Sequence, residues 1–550
     1  MKHRLFLFFC IVTLACVPFA LRGAVSSNAD VLSPKNVVIL ANSNEPESVA
    51  LAQYYAGKRA IPEANIVALP MPSAEALPWD GYIRFIEEPL HAWLLRNGWL
   101  VEDMPFKDVF GRTHGIVLEN RVGYLVTCQG VPLKIADEPR FDTPANRSDF
   151  MFALHVKNGT PMGELLLHSS SSVDSELAAM LADVNPVLGF IPNPLYGKRS
   201  FGGVATLRVI RTSRLGGSDY AAARSLVDSA LEGEKNGLSG RVYIDEGGPF
   251  LVAERWLQSA AALFRASGWD VDEDTGRATF GPEARFDAPA VYLGWYATAV
   301  NGPFLEPGMR FPSGAIAAHL YSFSASTLKD RSFWCAALID RGVAGTVGNV
   351  NEPGLEMTHN FGIMARAMIE GRSFCDAAWS SMPVLSWQGV IFGDPLYIPL
   401  PQKDGASAKP SGEYGTLAGI LALEEKGDRE GALAEAKKAA DASVGWAVSY
   451  EYAKLLHAAG RDAEAADALT YMAGAVRLSA ERRSIAFDAA GLLGSAGRYA
   501  EALAILNNLR IQDGSDAFRK AVAARGADIA VKSGRAEFIA RWPKDEAPAK

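Results

Sequence analysis

The sequence lacks most of the features that would assign it quickly. It has no excess of basic charge: Lys and Arg number 54 against 62 Asp and Glu, a net charge of −8 over 550 residues. No Lys/Arg-dense stripe runs along it, so the electrostatic footprint of a nucleic-acid binder is missing. Cysteine is scarce, with 5 in the whole chain. None lies in a CxxC or His/Cys cluster, which argues against structural zinc and against a disulfide framework. Beyond residue 21 no stretch approaches the roughly 18–20 uncharged apolar residues that a spanning helix needs. The pairs Gly216-Gly217 and Gly247-Gly248 have no P-loop lysine, so nucleotide binding has no support. No cofactor and no metal are expected. What remains is a chain long enough for two to four domains of roughly 100–200 residues.

The first thing present is an address. Lys2, His3 and Arg4 precede an apolar run from Leu5 to Leu21, broken only by Thr13 and Pro18, and the small residues Gly23, Ala24, Ser26, Ser27 and Ala29 follow. That is the layout of a secretory signal peptide. Residues 1–28 are read as a leader, with cleavage between 24 and 29. Cys16 keeps a lipoprotein open as one alternative, and an uncleaved anchor is the other. The mature chain is expected to be exported, periplasmic or extracellular, with no transmembrane span. It keeps Cys128, Cys335 and Cys375, an odd number that cannot all pair internally.

Short apolar runs then alternate with helical patterns, which predicts an α/β fold with a mostly parallel sheet flanked by helices. In an N-terminal α/β region, 36–240, strands are predicted at 36–41, 122–127 and 207–210. In a second region, 241–401, they are predicted at 241–244, 291–293, 315–321 and 345–347, with helices near 253–267 and 333–341. Periodicity leaves open whether the two regions share one sheet. Residues 402–413, rich in Ala, Ser, Lys, Pro and Gly, form a linker.

From 414 to 545 strand signals vanish and alanine dominates. Leu455-Leu456-His457-Ala458-Ala459-Gly460-Arg461 recurs 37 positions on as Leu492-Leu493-Gly494-Ser495-Ala496-Gly497-Arg498, and Gly534-Arg535 lies 37 further. Gly427 stands 33 before Gly460. A helix ending in Gly, a short turn and a second helix make a helical-hairpin repeat, which resembles the tetratricopeptide family. Such stacks present binding surfaces, so a protein partner is expected here.

Four runs carry the candidate chemistry: Gly294-Trp295-Tyr296, Ser322-Phe323-Ser324-Ala325, Gly348-Asn349-Val350-Asn351-Glu352-Pro353 and Gly393-Asp394-Pro395-Leu396-Tyr397. Three follow a predicted strand directly. Ligands of open α/β sheets bind at the carboxyl ends of strands, so these loops are expected to converge on one rim. With Ser172-Val173-Asp174-Ser175-Glu176-Leu177 upstream, the motifs resemble an uncharacterised family of exported bacterial proteins found in species with the exosortase sorting system. The likeness spans about 36–401 and implies a cell-envelope context.

A more distant resemblance is to the caspase-like fold of the gingipain and caspase peptidases. Those enzymes end one strand in His-Gly and the next in a nucleophilic Cys. Here Trp295 and Tyr296 stand at the His position, and Ser322 or Ser324 at the Cys position. The resemblance therefore implies a caspase-like domain without its dyad, binding a peptide or glycan ligand. Its candidate contacts are Trp295, Tyr296, Phe323 and Asn349, with Asp174 and Glu176 either completing the rim or facing a helix dipole. The alternative is a serine-type hydrolase, peptidase or esterase, in which His359 activates Ser322 or Ser324 and Glu352 orients His359. Otherwise Glu352 caps a following helix and His359 lies on its polar side. His319 is read as a hydrogen-bonded core histidine and Asp394 as a turn former. A rival pair, His114-Gly115 with Cys128, defaults to a buried thiol.

Overall fold

Runs with no polar face become strands buried on both sides, and the strand order decides where their ends meet. In the computed structural model, which describes residues 33–108, 110–138, 169–182, 191–202, 207–403 and 405–535, the strands are Val37–Asn42 (β1), Ile66–Leu69 (β2), Leu100–Lys107 (β3), Thr113–Asn120 (β4), Tyr124–Cys128 (β5), Thr212–Leu215 (β6), Arg241–Asp245 (β7), Val271–Asp274 (β8), Pro289–Gly294 (β9), Ile316–His319 (β10), Gly345–Asn349 (β11) and Gly389–Gly393 (β12). The leader, 1–28, lies outside the described residues. Apart from the β3–β4 ribbon, these strands form one ten-stranded sheet ordered β8-β7-β9-β10-β11-β12-β6-β5-β1-β2. Every neighbouring pair is parallel except β11–β12.

The sheet is thus two parallel halves of opposite direction, joined at β11–β12. The two α/β regions share it, and the boundary near 240 does not divide it, because β12 completes the first half. One predicted strand is corrected. Residues 207–210 are not extended ladder; the strand is Thr212–Leu215, whose four residues are all buried. Alternate residues feed separate cores: Val37, Ile39 and Ala41 enter one, Val38 and Leu40 the other. The covering helices include Pro46–Arg59 (α1), Glu88–Arg96 (α2), Val173–Ala179 (α3), Tyr220–Asn236 (α4), Leu251–Ala266 (α5), Trp334–Asp340 (α6), Phe361–Ile369 (α7) and Phe374–Ser381 (α8). Among the described residues, no helix is long and apolar enough to cross a membrane.

After a short hairpin in the linker, the chain is helical: Gly412–Glu425 (α9), Arg429–Asp441 (α10), Trp446–Ala458 (α11), Asp462–Leu469 (α12), Ala480–Ser495 (α13), Tyr499–Arg510 (α14) and Asp516–Lys532 (α15). Gly427, Gly460, Gly497 and Gly534 all sit at positive φ, between 68° and 79°. The periodic glycines are therefore helix terminators in the left-handed region, where a side chain is disfavoured. Alanine is the commonest of the buried residues that pack these helices together.

The helical region is tied to the sheet by a buried ionic hub. Asp287, just before β9, accepts two bonds from Arg285 (2.6 and 3.0 Å) and one from Arg241 (3.4 Å). Tyr414 of α9 reaches across and donates its hydroxyl to Asp287 at 2.8 Å. The Arg285 guanidinium lies 5.0 Å from the ring centre of Tyr450 on α11. Arg483 of α13 donates to the Pro307 carbonyl at 2.8 Å.

Candidate functional site

The carboxyl ends of β7, β9, β10 and β11 form one edge of the sheet, and three of the four singled-out runs meet there. Backbone bonds knit them: Trp295 N–H to Asp245 O (3.1 Å), Leu320 N–H to Gly294 O (2.8 Å) and Ala325 N–H to Asn349 O (2.9 Å). The fourth does not. β12 runs the other way, so Gly393-Asp394 lies at the opposite edge, where Asp394 takes Tyr55 at 2.7 Å and Arg59.

The rim is aromatic. Phe250 stands 6.2 Å from Trp295, Trp295 6.4 Å from Tyr296, Tyr296 5.6 Å from Tyr321 and Tyr321 5.9 Å from Phe323, centre to centre. These spacings are those of mutually packed rings. Phe250 is 58% and Tyr296 43% exposed, whereas Trp295 is only 2% exposed. Trp295 is therefore the foundation of the row rather than a ligand contact, which corrects its expected role. Its indole N–H goes to Glu254, which also takes the N–H groups of Gly247 (3.1 Å) and Gly248 (2.9 Å). A Cβ on Gly248 would lie 2.2 Å from the Trp295 ring, so this glycine is there for close approach. Phe323 is half-buried at the far end. Burial, then Tyr321, then Glu352 raise the Tyr296 phenol.

Beneath the rim runs a directed chain of hydrogen bonds. His319 Nε2 accepts the Ala297 N–H at 2.9 Å, so the neutral ring carries its proton on Nδ1 and donates to Tyr292 O at 2.9 Å. Tyr292 then donates to Asp245 Oδ2 at 3.0 Å. Burial pushes His319 down to about 3 and Asp245 up to about 8. The His319 ring stacks 3.8 Å from Trp334. This is the core histidine expected from the sequence, and it pins the turn that presents Tyr296.

The serine–histidine arrangement is not assembled, and the reason is strand alternation. A Cβ on Gly348 would point at Cys335 Sγ and, 2.7 Å away, at Ser324 Oγ. The next residue, Asn349, faces the other side. Gly389 is directly opposite Asn349 and shares its face, and its Cβ would come 3.7 Å from His359 Cε1. Ser324 and His359 therefore occupy opposite faces of the sheet. Ser324 is fully buried, its hydroxyl accepting the Asn349 N–H at 3.1 Å. His359 is 1% exposed rather than on a polar helix face, neither ring nitrogen has a hydrogen-bond partner among the described residues, and burial pushes it down to about 3. Glu352 accepts Gly354 N–H at 2.9 Å, and does not orient His359. Ser322 is half-buried at the rim, where His319 bonds Tyr292 and the Ala297 N–H, and Glu352 takes the Gly354 N–H, rather than its hydroxyl.

Three further contacts are corrected in the same way. Asn349 is buried and donates to Thr358 Oγ1 at 2.9 Å. Asp174 is buried in an ion pair with Arg214 at 2.6 Å and takes Thr127 Oγ1 at 2.6 Å. Glu176 is buried between Ser171 (2.6 Å) and Ser386 (2.8 Å). All three serve the interior because α3 and the β11–β12 junction are covered. His114 pairs with Asp108 at 3.1 Å on the β3–β4 ribbon, away from Cys128, whose thiol burial pushes up to about 12.

Sequence reasoning missed Phe250, Tyr321 and the Glu254 clamp. A signal existed: Leu251 and Val252 fall outside the helical phase of Ala253, Leu257, Ala260 and Phe264, marking an apolar helix start with no core to enter. Among the described residues, no group of three His, Cys, Asp or Glu is placed to hold a metal ion. The edge offers flat rings for a ligand, and among the described residues neither Ser322 nor Ser324 is hydrogen-bonded to a base; Ser171 and Ser386, which do meet a carboxylate, are buried on Glu176. No protein-family model, no curated protein and no solved structure matches the chain.

Proposed function

We propose that this is an exported ligand-binding protein: a caspase-like α/β body without the His/Cys dyad, whose aromatic rim takes a peptide or glycan, joined to tetratricopeptide-like repeats that engage a protein partner. The observation that carries it is the row Phe250, Trp295, Tyr296, Tyr321 and Phe323 at the strand ends, where among the described residues no base is hydrogen-bonded to Ser322 or Ser324. The side-by-side, parallel β9 and β10 support the caspase-like reading, since the His and Cys strands of those peptidases are neighbours. The 33- and 37-residue glycine spacing supports the repeats. Export rests on the leader and on the resemblance to cell-envelope proteins.

The test is a melting-temperature screen against peptides and oligosaccharides, followed by titration of the strongest hit. Tyr296→Ala and Phe323→Ala are expected to weaken that hit about tenfold each, the loss of one stacked ring. Their melting temperatures should match the parent. A fluorophosphonate probe is expected to label neither Ser322 nor Ser324. Labelling abolished by Ser322→Ala would return the protein to the hydrolases.

A further inference from the structure

The helical region carries a groove that the rim does not explain. It encloses about 550 Å³ between the starts of α9, α11 and α13, a size typical of ligand sites. Trp446 and Tyr471 form an aromatic wall, their rings edge to face at 5.3 Å, and Tyr471 is 44% exposed. Glu413 and Glu481 line the same groove. One oxygen of Glu413 takes the N–H groups of Ala447 (2.6 Å) and Val448 (3.4 Å), and one of Glu481 takes the Tyr414 hydroxyl (3.1 Å). Among the described residues the second oxygen of each has no hydrogen bond or salt bridge, and Arg482 and Arg285 act on Glu481 only at longer range.

The charges are unbalanced. Burial raises the Glu413 carboxyl against its two amide bonds, and the nearby Glu481 raises it further. Asp441 on the lip is already paired with Lys437 at 2.5 Å. Arg482, the one cation lining the groove among the described residues, lies 5.3 Å from the ring centre of Trp446. That contact shows the wall accepting a guanidinium, as an indole face does. Two carboxylates beside the exposed Tyr471 ring and the half-buried Trp446 ring call for a second cation.

We infer that this groove binds a lysine or arginine side chain of an extended partner segment, with the cation between Tyr471 and the carboxylates of Glu413 and Glu481. The inference rests on reading the repeats as a partner platform and names that partner's chemistry; it does not depend on the rim. The test is fluorescence anisotropy of labelled tetra-arginine and tetra-glutamate with the full chain. Tetra-arginine should bind, tetra-glutamate should not, and added salt should weaken the complex. Glu481→Gln and Tyr471→Ala should each weaken it about five- to tenfold, as loss of a charge partner or an aromatic face does. Tyr471→Leu, which keeps an apolar side chain on the wall, should lose the same affinity and so separates cation recognition from folding. Equal binding of the two peptides, no binding of either, or binding untouched by these variants would overturn the inference. A loss confined to Tyr296→Ala would put the peptide on the rim instead, overturning the groove while leaving the rim reading intact.

Discussion

Replacing Asp287 by alanine is expected to lower the free energy of unfolding by about 3–5 kcal/mol, the range for breaking a buried ion pair from one side. The substitution strands the buried Arg285 guanidinium, leaves Arg241 only the carboxylates of Asp270 (2.5 Å) and Asp272 (3.4 Å), and removes the nearer of the two acceptors of the Tyr414 hydroxyl. Burial alone would raise this carboxyl, but Arg285 and then Arg241 hold it at about 2. A folded value below the unfolded one, ordinarily about 3.9, means that its stabilisation is complete above about pH 4 and fades only as pH falls toward 2. The gap between parent and variant should therefore be constant from pH 5 to 8 in urea melts followed by tryptophan fluorescence. Because Asp287 joins the sheet to α9, the variant should also be cut faster by protease in the 402–411 linker. Tyr414→Phe, which removes only the bridging hydroxyl, should cost about 1 kcal/mol. A variant within 0.5 kcal/mol of the parent, an order-of-magnitude threshold for surface changes, would show that the hub does not hold the two regions together.

That hub was invisible in the sequence, and the reason is general to what was and was not legible. The runs at 36–41, 241–244, 291–293 and 345–347 read as strands because no charged residue breaks them after their first position, and they are strands from residue 37 on. The glycine spacing read as helix ends because the left-handed turn restricts residue choice. By contrast Thr212–Leu215 reads as polar, yet it is a central strand: Arg214 is neutralised by Asp174 and by the carbonyls of Val131 (2.8 Å) and Pro132 (2.9 Å). Only a partner 40 residues away turns that arginine into an interior residue.

Direction was equally hidden. Gly389–Gly393 is a short apolar run that fits either orientation, and its antiparallel pairing with β11 sends Asp394 to the far edge. The same junction separates Ser324 from His359. Their loops are both anchored to β11, but which face each takes depends on register, and a shift of one residue would exchange them. Sequence could bring these residues to one strand; it could not choose the side. The aromatic rim was more legible because Trp295, Tyr296 and Phe323 all follow strands that run the same way.

Asp245→Asn is expected to make the protein more stable at pH 8.5 by about 2–3 kcal/mol while changing it little at pH 5, an order-of-magnitude figure from 1.36 kcal/mol per pK unit reduced for relaxation. Burial pushes the Asp245 carboxyl up to about 8, and one of its oxygens has no hydrogen-bond partner among the described residues. Here the folded value lies above the unfolded one. Between about pH 4 and 8 the native chain holds a proton that the unfolded chain has lost, so stability falls as pH rises through that window and levels off above it. Glu87, raised by burial to about 8, and Glu176, raised to about 6, act in the same direction. The parent should therefore be more stable near pH 5.5 than near pH 8.5, and the variant's profile should be flatter. Asparagine preserves the shape and can still accept the Tyr292 hydroxyl, so the Tyr292–His319–Ala297 chain under the rim stays intact. Urea midpoints at the two pH values measure the effect. If the variant loses as much stability at pH 8.5 as at pH 5, the buried carboxyl is not holding a proton, and the rim rests on a charged aspartate instead.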